Sequence, residues 1–142
     1  MRGRDERSPF SARLRPQVLD RLRAESRRAG ISSSRLAERL IDEGLRAEEF
    51  HGIVFRPGPA GRRAALASGP DVWEVVGDWQ RAQRAGRDPV ETLLHSTPLK
   101  EDQIALALAY YRAYPEEIDD RIRADEEVHA RVADALRAGQ AA

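Results

Sequence analysis

Residues 9–14, PFSARL, alternate apolar and polar side chains ahead of two helical stretches, and this short segment limits the fold more than any other part of the 142-residue chain. Successive strand side chains point to opposite faces, so Phe10, Ala12 and Leu14 share one face while Ser11 and Arg13 share the other. Pro9 donates no hydrogen bond and marks the frayed start, and Ala12 is small for a core position. A lone strand exposes unpaired N–H and C=O groups along both edges. The simplest completion is a second copy of the same chain, paired antiparallel, so that two strands close one core.

Pro16 opens a helix at a position where a missing N–H costs little. Val18, Leu19, Leu22, Ser26 and Ala29 give that helix an inner face, and Gly30 ends it as a left-handed cap. Ser32 is the expected N-cap of a second helix, with Ser33 and Ser34 in its first turn. Leu36, Ala37, Leu40, Ile41 and Leu45 recur at three- and four-residue spacing as its buried stripe. The first-turn amides and the positive end of the helix dipole make Ser32, Ser33 and Ser34 a phosphate anchor. Taken alone, a short strand before two capped helices fits many domains.

In their order, the strand, helix, glycine break, serine cap and second helix of residues 9–46 resemble the ribbon-helix-helix DNA-binding proteins. The resemblance implies an intertwined homodimer whose two-stranded ribbon enters the major groove of double-stranded operator DNA. Pro9, Ser11 and Arg13 then face base edges, with Arg13 the best placed to read guanine through its planar fork. The serine turn clamps the backbone beside the ribbon.

Charge distribution agrees with two partners of different kind. The formal net charge is zero, yet residues 1–39 carry eleven arginines against five acidic residues, and residues 116–142 carry eight acidic residues against four arginines. A basic front attracts phosphate and an acidic tail repels it. Cysteine is absent, which excludes disulfides and thiolate metal sites. No apolar run approaches the roughly 20 residues that span a bilayer, and MRGRDERS lacks a signal-peptide core, so a soluble cytoplasmic protein without membrane association is expected.

After residue 50 the character changes. Ile53 to Phe55 form a short apolar piece, and the proline- and glycine-rich stretch through Pro70 reads as a loop or boundary. Helices are expected over 71–85, with Val72, Val75, Val76 and Trp79 inward, and over 88–95, with Val90, Leu93 and Leu94 apolar. Thr97–Pro98 then reads as a cap and first helical residue opening a helix to Tyr114. A helix, a short helix and a longer helix outline a helix-turn-helix unit. The pieces HGIVFR, GPAGRRAALA, GPDVWEVV and ALAYYRAYPEEID resemble a small helix-turn-helix family encoded beside PIN-like ribonuclease toxins as VapB-type antitoxins. This resemblance implies that the chain neutralises a cognate PIN-like ribonuclease toxin. Arg62 and Arg63, adjacent on a glycine-flanked loop, are candidates to enter an acidic nuclease pocket, the alternative being a solvated pair. Trp73, Trp79, Tyr110 and Tyr111 lie at helical spacing among aliphatic residues and read as core.

From Glu116 onward a long amphipathic helix is expected, with Ile118, Ile122, Val128, Val132 and Leu136 as its stripe, interrupted by Asp125 and His129. The stripe either folds back on its own domain or lies in a groove of the toxin. His51, His95 and His129 have no ligand spacing, and no phosphate loop or nucleophile turn occurs, so neither an enzyme nor a cofactor is expected. The sequence thus reads as mainly α. A ribbon-helix-helix domain occupies residues 1–50, a helix-turn-helix-like antitoxin domain 51–115, and a long C-terminal helix 116–142. The function expected is an antitoxin of a type II pair that also represses its own operon; the alternative is a stand-alone regulator with an oligomerising or ligand-sensing C-terminal half. A structural adaptor with no DNA role is the third class.

Overall fold

A computed structural model describes residues 6–141, which are mainly helical with one small antiparallel sheet. In chain order the elements are α1 (Pro16–Ala29), α2 (Ser33–Glu49), β1 (Ile53–Arg56), β2 (Arg63–Leu66), α3 (Val72–Arg84), α4 (Pro89–Ser96), α5 (Glu101–Ala113) and α6 (Pro115–Gln140). The chain divides into two compact units, Met1–Asp42 and Glu43–Ala142, so the division falls inside α2.

In the first unit, α1 begins at Pro16 and stops at Gly30, whose left-handed φ of 66° turns its amide back to the Arg27 and Ser26 carbonyls. Leu36 and Ser26 are buried, while Phe10, Leu14, Val18, Leu40 and Ile41 remain exposed. Residues 6–15 form neither helix nor strand. The strand expected over 9–14 is therefore not formed in a single chain, and the physical reason is plain: among the described residues no strand pairs with it, and an unpaired strand leaves its ladder groups without partners.

The second unit holds the larger core. β1 and β2 pair in the register Ile53↔Leu66, Val54↔Ala65, Phe55↔Ala64 and Arg56↔Arg63. Residues 57–62, with Gly61 at φ 107°, turn the hairpin. This corrects the expectation of a loop running through Pro70. The last pair sets two arginines opposite each other, which is unfavourable unless each has its own partner. Each has one here: Arg56 donates to the Gly69 and Leu66 carbonyls at 2.9 and 2.8 Å, and Arg63 pairs with Asp71.

Ile53, Leu66, Val72, Val75, Val76, Leu93, Ile104, Tyr110, Ile118 and Ile122 meet in one cluster, with Trp73, Trp79 and Tyr111 packed on its margin. Helix α3 is the hub that touches β2, α4, α5 and α6. Asp88 caps α4 by accepting from the Glu91 amide at 3.0 Å, and Pro89 follows as its first residue. The expected start of α5 at Thr97–Pro98 is displaced. Thr97 instead closes α4, donating from its hydroxyl to the Leu93 carbonyl at 2.6 Å, and Leu99 drops into the core before α5 begins at Glu101. The amide of Lys100 is held by the Gln103 side chain at 2.9 Å, a reach-back that fixes this later start. Among the described residues, no helix is long and apolar enough to cross a membrane.

Candidate functional site

The residues expected to read DNA, Pro9, Ser11 and Arg13, all lie in the exposed segment before α1. The other face of that segment is equally uncovered: Phe10 keeps 82 % of its surface and Leu14 47 %. Two large apolar side chains of this stretch thus lie in solvent.

The serine turn divides into three roles. Ser32 is the N-cap, its Oγ accepting from the Arg35 amide at 3.2 Å. Ser33 turns inward, its Oγ 3.0 Å from that of Ser26, whose own hydroxyl donates to the Arg23 carbonyl at 2.9 Å. Ser34 is exposed. The amides of Ser33 and Ser34 belong to the first turn and have no acceptor inside the helix. Of the three hydroxyls, therefore, that of Ser34 faces solvent without a cap or core role.

Arg62 and Arg63 are not a loose loop pair. Arg62 grips both carboxylate oxygens of Glu43 and donates to the Phe55 carbonyl at 3.1 Å. Arg63 opens β2 and pairs with Asp71, which is only 6 % exposed and also accepts from the Trp73 indole at 3.2 Å. A buried polar group needs such partners to offset the water it gives up. Both arginines line a pocket of about 360 Å³ together with Trp73, Glu117, Asp120 and Arg121.

The stripe expected along α6 also divides. Ile118 and Ile122 are 3 % and 7 % exposed and belong to the core, which removes them from any surface offered to a partner. Val128, Val132 and Leu136 lie beyond the core and are exposed, Leu136 by 64 %. Their spacing of four residues keeps them on one side of the helix. His129 Nδ1 lies 3.2 Å from Asp125 in the same stretch.

Sequence reasoning missed one polar centre entirely. Arg46, near the end of α2, donates to the Tyr110 hydroxyl at 2.8 Å and to Glu117 at 2.6 Å, and its guanidinium carbon lies 4.0 Å from the centre of the Tyr114 ring. Tyr110 Oη in turn donates to Glu117 at 3.2 Å. Burial, and then the Glu117 charge, push the Tyr110 hydroxyl well above the usual tyrosine range. Burial by itself would lower Arg46, but the Glu117 and Tyr110 hydrogen bonds outweigh it and hold the guanidinium above its ordinary value. The hydrogen bond to Asp119, followed by burial, raises Tyr111 as well. No local signal marks this triad, because its members are separated by 64 and 7 residues in sequence. Among the described residues, no group of three or more His, Asp or Glu side chains is placed to hold a metal ion. No known protein family, curated protein or solved structure matches this chain.

Proposed function

We propose that the chain is a homodimeric ribbon-helix-helix DNA-binding protein whose second unit captures a protein partner, acting as a type II antitoxin. In this reading residues 9–14 of two chains pair as a ribbon, with Ser11 and Arg13 on the DNA side and Phe10 and Leu14 in a shared core. The single observation that carries the reading is the apolar set Phe10, Leu14, Val18, Leu40 and Ile41, left exposed in the first unit. Burying those side chains against a twin removes apolar surface from water and pairs the strand edge in the same step. The basic front adds attraction to phosphate, and Ser34 and the first-turn amides of α2 sit at the end of a helix that favours anions.

The toxin-facing surface in this account is Val128, Val132 and Leu136, an exposed apolar side on a helix extending past its own core. Such a side suits a groove in a partner, here a PIN-like ribonuclease. Repression of the operon and neutralisation then reside in one chain. Arg13→Ala is expected to weaken binding to the DNA upstream of the gene by about 1–3 kcal/mol and to relax preference at one base. Undiminished, sequence-specific gel shifts by that variant contradict the role of Arg13. Co-purification with the product of the adjacent gene, followed by an RNase assay with and without this chain, tests the antitoxin half.

One observation favours a second reading, a stand-alone regulator whose second unit senses a ligand. That observation is the pocket between the hairpin and α6, which contains Arg121, an arginine in none of the ion pairs of the described residues.

A further inference from the structure

The pocket walls carry five charges, and four of them are matched by the fold. Arg62 pairs with Glu43, Arg63 with Asp71, Glu117 with Arg46, and Asp120 with Arg123. Arg121 is different. Among the described residues none of the ion pairs includes it, and its buried Nε–H, like that of Arg63, has no hydrogen-bond partner. Its guanidinium lies over Trp73, with the central carbon 5.2 Å from the ring centre.

That placement dictates what the group can still do. A guanidinium held near an aromatic face keeps its N–H donors as a planar fork. A planar carboxylate matches that fork with two parallel hydrogen bonds. A buried donor left without an acceptor is costly, and a ligand oxygen removes the cost. Ala60, Ala64 and Ala124 complete the lining with apolar surface beside the indole.

We propose that this pocket is a binding site for a monocarboxylate with a compact apolar body, its carboxylate on the edge of Arg121 and its body against Trp73. The charge balance selects a single negative charge. One positive charge, on Arg121, has no ion-pair partner on the wall, so one negative charge balances it. The volume is at the lower end of small-molecule sites and suits a ligand of this size. The acid is either a free small molecule or a carboxylate presented by a peptide, and the chemistry recognised is the same. The inference rests on the second reading above only for its consequence, since every lining residue lies in the second unit and no step requires DNA.

The test uses the full chain labelled with ¹⁵N, following the Trp73 indole N–H signal, which is assigned by its disappearance in Trp73→Phe. The probes are cyclohexanecarboxylate, the neutral cyclohexanecarboxamide, inorganic phosphate, and an uncharged-backbone tripeptide with one central glutamate and blocked ends. Cyclohexanecarboxylate is expected to shift the signal saturably, the amide to leave it in place, and phosphate to act more weakly than the acid. Arg121→Gln is expected to weaken binding of the acid about tenfold or more, and Arg121→Lys to weaken it too, because an ammonium has no fork. Tighter binding of the blocked glutamate peptide than of the free acid assigns the site to a protein partner; the reverse assigns it to a small molecule, and either outcome supports the site. No shift in the wild type, an equal shift by the amide, a stronger shift by phosphate, or an unaltered Arg121→Gln overturns it. Where Arg121→Gln does not fold, the comparison of acid, amide and phosphate on the wild type decides alone. Failure here leaves the DNA-binding reading intact, because a gel shift on the same protein reads that separately.

Discussion

Tyr110 has no exposed surface, yet its hydroxyl lies between two charged groups, Arg46 and Glu117. Tyr110→Phe keeps the ring, which packs edge-on against Phe50 at 5.4 Å, and deletes only the hydrogen bonds. The expected cost is about 1–3 kcal/mol, read as a lower urea midpoint with an unchanged slope. The raised ionisation of Tyr110 also gives a pH dependence with a definite sign. The folded chain holds the phenolic proton more tightly than the unfolded chain, so this stability is complete below about pH 10 and is lost as pH rises above it. Tyr110→Phe should lose less stability than the wild type between pH 8 and pH 11, with Tyr111 supplying the remaining dependence in both. Gly30 offers a second test at this scale. A methyl group there meets nothing, so Gly30→Ala is penalised only by the left-handed φ of 66°, by about 1–2 kcal/mol in thermal unfolding. Gly30 was legible in the sequence because a glycine between two periodic runs needs no tertiary information. The Arg46–Tyr110–Glu117 triad was not, because it exists only once α2, α5 and α6 have come together.

At the level of elements, the helices of the second unit followed from apolar spacing, and the hairpin did not. Arg63–Leu66 reads Arg-Ala-Ala-Leu, and alanine is depleted in strands, so nothing local favours extension. What decides it is burial and pairing: Ala64, Ala65 and Leu66 are all covered, in a segment that pairs with β1 and packs against α3. Similarly, Thr97–Pro98 resembles a helix start in sequence, but the threonine hydroxyl is taken by the preceding helix. Helix α6 combines both lessons. Its 26 residues extend about 39 Å, further than its own core can cover. Removing residues 128–142 takes away no member of the core, so the truncated chain should unfold within about 4 °C of the full chain while losing capture of the adjacent gene product. A drop far beyond that places the outer half of α6 in the stability of the fold, and retained capture removes it from the partner surface. Leu93→Ala, inside the core, should by contrast cost about 2–5 kcal/mol.

For the molecule as a whole, the two units solve the burial problem differently. The second unit closes a core of its own around β1, β2 and α3 to α6. The first leaves Phe10, Leu14, Val18, Leu40 and Ile41 exposed, and the first two come from the alternating pattern of residues 9–14. A core of the proposed kind, shared between two chains, leaves only its periodicity in one chain, since half of its contacts belong to the other copy. Absence of native cysteine makes the decisive measurement direct. With a nitroxide attached at Ser11→Cys, the intermolecular dipolar distance reports whether residues 9–14 of two chains lie side by side. The account predicts a single distance of no more than about 20 Å, the length of a six-residue strand. An absence of intermolecular coupling, or a distance well beyond that, contradicts the shared ribbon and with it the proposed mode of DNA binding.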